Sequence, residues 1–91
     1  METVAAFTNL EDQEIPQLCP LLGLTGRNMQ LKLAARIGVG SAVKVETGDT
    51  LTLGEVSYCH PVADGYVVGV EINEALHNVA ELTRLARALL A

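Results

Sequence analysis

A small antiparallel β-barrel followed by an amphipathic helix is the fold that this sequence predicts, and three observations predict it. Apolar and polar residues alternate with a period of two in several short runs, the clearest being Tyr66-Val67-Val68-Gly69-Val70-Glu71-Ile72. Glycine-containing turn signals separate those runs at Gly26-Arg27-Asn28, Thr47-Gly48-Asp49-Thr50 and Asp64-Gly65. After Asn73 the apolar spacing lengthens to that of a helix. With 91 residues the chain makes one domain, with a modest core.

Residues 1–16 hold Glu2, Glu11, Asp12 and Glu14 and no basic residue. They read as an acidic N-terminal arm with a short strand near Val4–Phe7, and residues 17–91 as the barrel with its helix. Pro16 and Pro20 bracket Gln17-Leu18-Cys19 and discourage a helix there. Leu21 to Thr25 is the next short strand. Met29, Leu31 and Leu33 alternate with Gln30 and Lys32, which marks a strand with one wet face. In Ser41 to Glu46, Val43 and Val45 point inward and Lys44 and Glu46 outward. A three-residue loop after that strand would set Val45 opposite Leu51 or Leu53, and apolar matching favours it over a two-residue Gly48-Asp49 loop.

Leu51 to Asn73 is the centre of the pattern, two long strands joined by a loop at His60–Asp64. In the first, Leu51 and Leu53 share one parity and Val56 and Tyr58 the other, so the phase switches at Gly54-Glu55. An extra residue at Gly54, a β-bulge, would restore the alternation and bend the strand towards a barrel. The expected register sets Tyr58 against Tyr66 and Val56 against Val68. In the second strand Tyr66, Val68, Val70 and Ile72 face the core and Glu71 faces solvent. The helix spans 75–91, with Asn73 as N-cap and Glu74 in its first turn. Its apolar stripe is Ala75, Val79, Leu82, Ala86, Leu89 and Leu90, with Leu76 and Leu85 on the edges. The order is thus four or five antiparallel strands, then one helix.

Composition excludes several functions. The formal net charge is −5, which opposes sequence-independent nucleic-acid binding and anionic membranes. One Phe, two Tyr and no Trp leave almost no stacking platform for bases. No apolar run approaches the roughly 20 residues of a membrane span, and the N-terminus lacks the basic start and apolar run of a secretory signal. The expected location is cytoplasmic. Two cysteines, Cys19 and Cys59, make no disulfide framework and read as two buried free thiols. Cys59 and His60 are neighbours on a strand and point to opposite faces, so they converge poorly on a metal or a nucleophile. No acid/base pair or nucleophile set stands out, and the chain reads as a non-enzyme. No cofactor is expected.

The segments Leu24-Thr25-Gly26-Arg27-Asn28-Met29-Gln30-Leu31, Gly40-Ser41-Ala42-Val43-Lys44-Val45, Leu53-Gly54-Glu55-Val56-Ser57-Tyr58-Cys59 and Gly65-Tyr66-Val67-Val68-Gly69-Val70 together resemble the PilZ family. These are small six-stranded barrels that sense cyclic di-GMP in bacteria. The resemblance runs from about Leu21 to Leu90. It implies a regulatory module and a ligand site at Gly23, Thr25, Arg27 and Asn28, with Arg36 as a further basic residue. The family's arginine pair ahead of the first strand has no counterpart, because the first basic residue here is Arg27. Of the family's Asp/Asn-x-Ser-x-x-Gly pattern only the hydroxyl, at Thr25, is kept; Gly23 and Asn28 stand at its two ends. A bisphosphate ligand calls for planar guanidinium donors. The sequence therefore points to a regulatory or interaction module with weakened or lost cyclic-di-GMP binding. The alternatives are a true receptor using Arg27 and Arg36, or an interaction barrel unrelated to nucleotide signalling. The expected partner is another protein or a second copy, through a homodimer seam at Leu85, Leu89 and Leu90.

Overall fold

The computed structural model describes residues 3–11 and 16–77. Six strands form a closed antiparallel barrel: β1 (Thr3–Asn9), β2 (Gln17–Thr25), β3 (Asn28–Leu33), β4 (Ala42–Thr47), β5 (Thr50–Val62) and β6 (Gly65–Leu76). Around the barrel the order is β1-β2-β3-β6-β5-β4, and β1 returns to β4 to close it. Closure removes the open sheet edges through which strands aggregate.

The alternation seen in the sequence becomes the inside and outside of this barrel. Phe7, Leu31, Val43, Val45, Val56, Val68 and Val70 are the largest fully buried side chains. Tyr66 and Ile72 are half-buried and pack on that core, while Glu71 is exposed, as the parity of β6 predicts. Val68 is 0% exposed at the centre of the longest hairpin. Val68→Ala should cost about 1–3 kcal/mol in equilibrium denaturation, since it leaves an unfilled space in a packed interior.

The N-terminal segment contains the strand expected near Val4–Phe7, and that strand is a full stave of the barrel rather than an accessory. Ala5 and Phe7 point inward, and β1 pairs with both β2 and β4. β2 begins earlier than expected and takes in Pro20. The ladder between β2 and β3 begins at Leu21, so Gln17–Pro20 pair only with β1. A proline can sit in a strand where one side needs no N–H donor.

Three expectations change. The loop between β4 and β5 has two residues, Gly48 and Asp49, and sets Val45 opposite Thr52. Gly48 holds φ at 55°, a left-handed conformation that makes the tight turn possible. Matching apolar residues across the hairpin misjudged this, because the barrel buries Thr52 and leaves Leu51 and Leu53 half-buried on the outside. The register of β5 and β6 also differs from the expected one. Val56 pairs with Val70 and Tyr58 with Gly69. The extra residue on β5 is Ser57, and a second irregularity near Leu53 and Gly54 leaves Asn73 unmatched on β6. The parity switch was real, but it lies after Val56. Finally, β6 continues to Leu76, so Asn73 and Glu74 are strand residues and no helix starts at Ala75. The rest of the expected helix, 78–91, lies outside the described residues, as does the proposed seam at Leu85, Leu89 and Leu90.

The extra residue Ser57 turns Tyr58 onto the outer surface, where its ring lies against Gly69. A Cβ at Gly69 would overlap that ring, which explains why an outward-facing glycine is buried. Gln30 Nε2 donates to the Tyr58 hydroxyl at 2.5 Å, and His60 sits beside the ring with centroids 5.0 Å apart. Lys32 pairs with Asp64 at 2.6 Å, tying β3 to the β5–β6 turn. This partner holds the exposed Asp64 carboxyl below its ordinary value.

Candidate functional site

The residues expected to bind a nucleotide fall at two ends of the barrel. Thr25 and Asn28 pair across the tight turn Gly26–Arg27, and Gly23 lies opposite Gln30 just beyond the irregularity at Leu22. Gly23, Thr25, Arg27 and Asn28 therefore share one hairpin end. The turn is fixed from behind, because the Ile72 N–H donates to the Arg27 carbonyl at 2.7 Å. The Arg27 side chain is free to point into solvent, and it is exposed.

Arg36 does not join them. It lies in the loop after Leu33, at the far end of the six-residue strand β3. A strand of that length spans about 20 Å. The two arginines of the barrel thus cannot form one bidentate clamp. Carboxylates stand nearer to Arg27 than Arg36 does. Asn28 pairs with Glu71, and Glu71 pairs with Glu55 on the next strand, all three exposed on the outside. Among the described residues, an anion approaching this hairpin meets the Arg27 guanidinium and the two carboxylates of Glu71 and Glu55.

Cys19 and Cys59 are both free. Cys19 points inward and is 3% exposed; burial pushes its thiol up to about 11 from 9.0. Cys59 packs partly against the core while His60 is exposed, so the two neighbours face apart as expected. Among the described residues no three His, Cys, Asp or Glu side chains converge where a metal ion could be held. No helix among the described residues is long and apolar enough to cross a membrane.

Two features were not anticipated. The first is an apolar strip on the outer face of β1 and β2. Val4 lies opposite Pro20 and Ala6 opposite Leu18, all pointing away from the core, with Leu22 continuing the strip at the irregularity. Leu18 is 78% exposed, Val4 51% and Leu22 49%. The signal was present in Leu18-Cys19-Pro20-Leu21-Leu22, which is apolar at both parities, as in a strand covered on both faces. Pro16 ahead of this run and Pro20 within it hid the signal. The strands that flank the strip carry charges that pair with one another, Lys44 with Glu46 at 3.7 Å on β4 and Lys32 with Asp64 beside β3. The second feature is a cavity of about 310 Å³ at the barrel end that carries the Gly26–Arg27 turn. Leu21, Leu24, Met29, Ile72 and Thr52 line it. Residues so far apart in sequence give no local sign that they will share a cavity.

A scan of family models, a search of curated proteins and a search of solved structures each found no match to this chain.

Proposed function

We propose that the chain is a non-catalytic, PilZ-like regulatory module that acts through protein contact, and first through contact with a second copy of itself. The exposed strip of Val4, Leu18 and Leu22 carries this reading. A contiguous apolar patch on a small soluble surface usually marks an interface, and two-fold pairing is the commonest way to cover one. The charges beside the strip are paired, so it suits an apolar protein surface better than a charged ligand. Two free thiols suit a reducing, cytoplasmic compartment. In sedimentation velocity the protein should run as a dimer at tens of micromolar. Leu18→Glu, on an exposed position, should run as a monomer with an unchanged circular dichroism spectrum. A wild type that stays monomeric at high micromolar concentration would end this reading.

Cyclic di-GMP binding is weak or lost in the same proposal. Among the described residues Arg27 is the one basic side chain at its hairpin, with Glu71 and Glu55 across the neighbouring strands. Titration calorimetry with cyclic di-GMP should give no binding heat at micromolar concentrations. Micromolar or tighter binding would establish the receptor reading instead, and Arg27→Ala should then abolish the heat.

A further inference from the structure

The two ends of the barrel are built differently. At the end reached by the β5–β6 turn, the loop between β3 and β4 folds inward and Ile37, 8% exposed, joins the core. Two backbone hydrogen bonds fasten that loop to β5. The Gly40 N–H donates to the Val56 carbonyl at 2.8 Å and the Val56 N–H donates to the Ser41 carbonyl at 3.0 Å. An apolar side chain of the barrel itself fills this end.

The other end is open. Leu24 lies opposite the buried Met29 and shares its inward side, yet it is 59% exposed. An inward-facing leucine is that exposed only where solvent reaches the inside of the barrel. Leu24 and Met29 line the cavity of about 310 Å³ at this mouth. Small-molecule sites start at roughly 300 Å³, and barrel mouths are among their usual places.

The lining has two sides. Leu24, Met29, Ile72 and Ala75 are apolar, whereas Thr50, Thr52 and His77 are polar. Among the described residues no Lys, Arg, Asp or Glu lines it. Thr52 is the informative one. It is 2% exposed and lies opposite Val45 on β4 and Ala75 on β6. Among the described residues its hydroxyl has no hydrogen-bond partner. The oxygen is not sealed in by packed side chains, as Thr8 Oγ1 is, so it opens on the cavity. A hydroxyl taken from bulk water and left unpaired by protein is costly, and a valine of the same shape would avoid that cost. At the rim, His77 Nδ1 lies 3.2 Å from Thr50 Oγ1 and adds a second polar group.

We propose that this mouth binds a neutral molecule of one or two rings that carries a single hydroxyl or carbonyl. Its rings lie among Leu24, Met29 and Ile72, and its polar group meets Thr52 Oγ1. The size follows from the volume, because an engineered apolar cavity of roughly 150 Å³ already accepts benzene. The neutrality follows from the walls, which hold no carboxylate, ammonium or guanidinium among the described residues to pair with a buried charge. The site shares no residue with the strip of Val4, Leu18 and Leu22, so it stands or falls apart from the self-association reading.

Methyl NMR on the full chain, titrated with 2-naphthol, tests it. The Leu24, Met29 and Ile72 methyls should shift along one saturable curve. Leu33 and Ile37, near the filled end, should keep their shifts and report an intact barrel. Naphthalene, which lacks the hydroxyl, should bind roughly three- to tenfold more weakly. In Thr52→Val, which keeps the shape and removes the hydroxyl, the two compounds should bind alike. 2-Naphthoate, of similar shape but charged, should bind more weakly than 2-naphthol. No saturable shift at the three methyls up to the solubility limit of 2-naphthol overturns the site. Shifts confined to Val4, Leu18 and Leu22 overturn it too, because they mean adsorption on the outer strip. An undiminished preference for 2-naphthol in Thr52→Val overturns the role given to that hydroxyl, and tighter binding of 2-naphthoate overturns the neutral class.

Discussion

Gly54→Ala should lower the melting temperature of this protein by more than about 10 °C. Gly54 is a buried residue of β5 at the point where the ladder to β6 changes register. A Cβ built there overlaps the carbonyl oxygen of Glu71 and comes within 2.9 Å of Val70 Cγ1. The first contact decides the size of the effect. A side chain can rotate away, but a backbone carbonyl inside a closed barrel moves only if the strand moves. The comparison is with Gly69, where an added Cβ meets the ring of Tyr58. That ring lies on the outer surface and can swing out, at the cost of its bond to Gln30. Overpacking of an interior position costs about 1–3 kcal/mol and sometimes more. For a domain of this size each kcal/mol moves the midpoint by about 4–8 °C. Differential scanning calorimetry gives the comparison directly. A Gly54→Ala midpoint within about 3 °C of wild type would mean that the two strands can separate freely at this point.

The parts of the fold that were legible in the sequence are those set by local alternation. Met29, Leu31, Leu33, Val43, Val45, Val68 and Val70 were placed inside by parity alone, and all are buried. A period-two pattern is a property of the strand itself, so it survives without knowledge of the neighbours. What failed depended on partners. The register of β5 on β6 follows from irregularities at Ser57 and Asn73, and nothing at those residues announces them in the sequence. Thr52 is buried because Val45 faces it across the tight turn at Gly48, a choice made by backbone conformation rather than by hydrophobicity. The change from period two to helical spacing was placed at Asn73 because Ala75 and Leu76 fit both patterns, and cross-strand pairing with Thr52 and Leu51 decides for the strand. The candidate ligand residues show the same division. Gly23, Thr25, Arg27 and Asn28 are close in sequence and the structure keeps them together, whereas Arg36 is carried to the other end by β3.

Raising the pH from about 9 to about 11 should remove on the order of 2–3 kcal/mol of stability through Cys19 alone. Cys19 is 3% exposed on the inward face of β2, among Ala5, Leu31 and the rest of the core. A thiolate there would lose its hydration without gaining a partner, so burial pushes the thiol up to about 11 from 9.0. The direction of the pH effect follows from which state keeps the proton. Below pH 9 both the folded and the unfolded chain hold the thiol protonated, and the whole contribution is present. Between 9 and 11 the unfolded chain gives up its proton while the folded chain retains it, so each unit of pH favours unfolding by about 1.4 kcal/mol. Above the folded value both are ionised and no further loss comes from this group. The measurement is a difference between two proteins, so that ionisations common to both cancel. Urea denaturation of wild type and Cys19→Ala at pH 8 and pH 10.5 should show the variant losing less stability than the wild type over the same interval. Thiol labelling at pH 8 offers an independent reading. The half-buried Cys59 should react in the native state, and Cys19 should react only as fast as the barrel opens. Parallel alkaline losses in the two proteins, or two thiols reacting at one fast rate, would show that the interior around Cys19 is open to water.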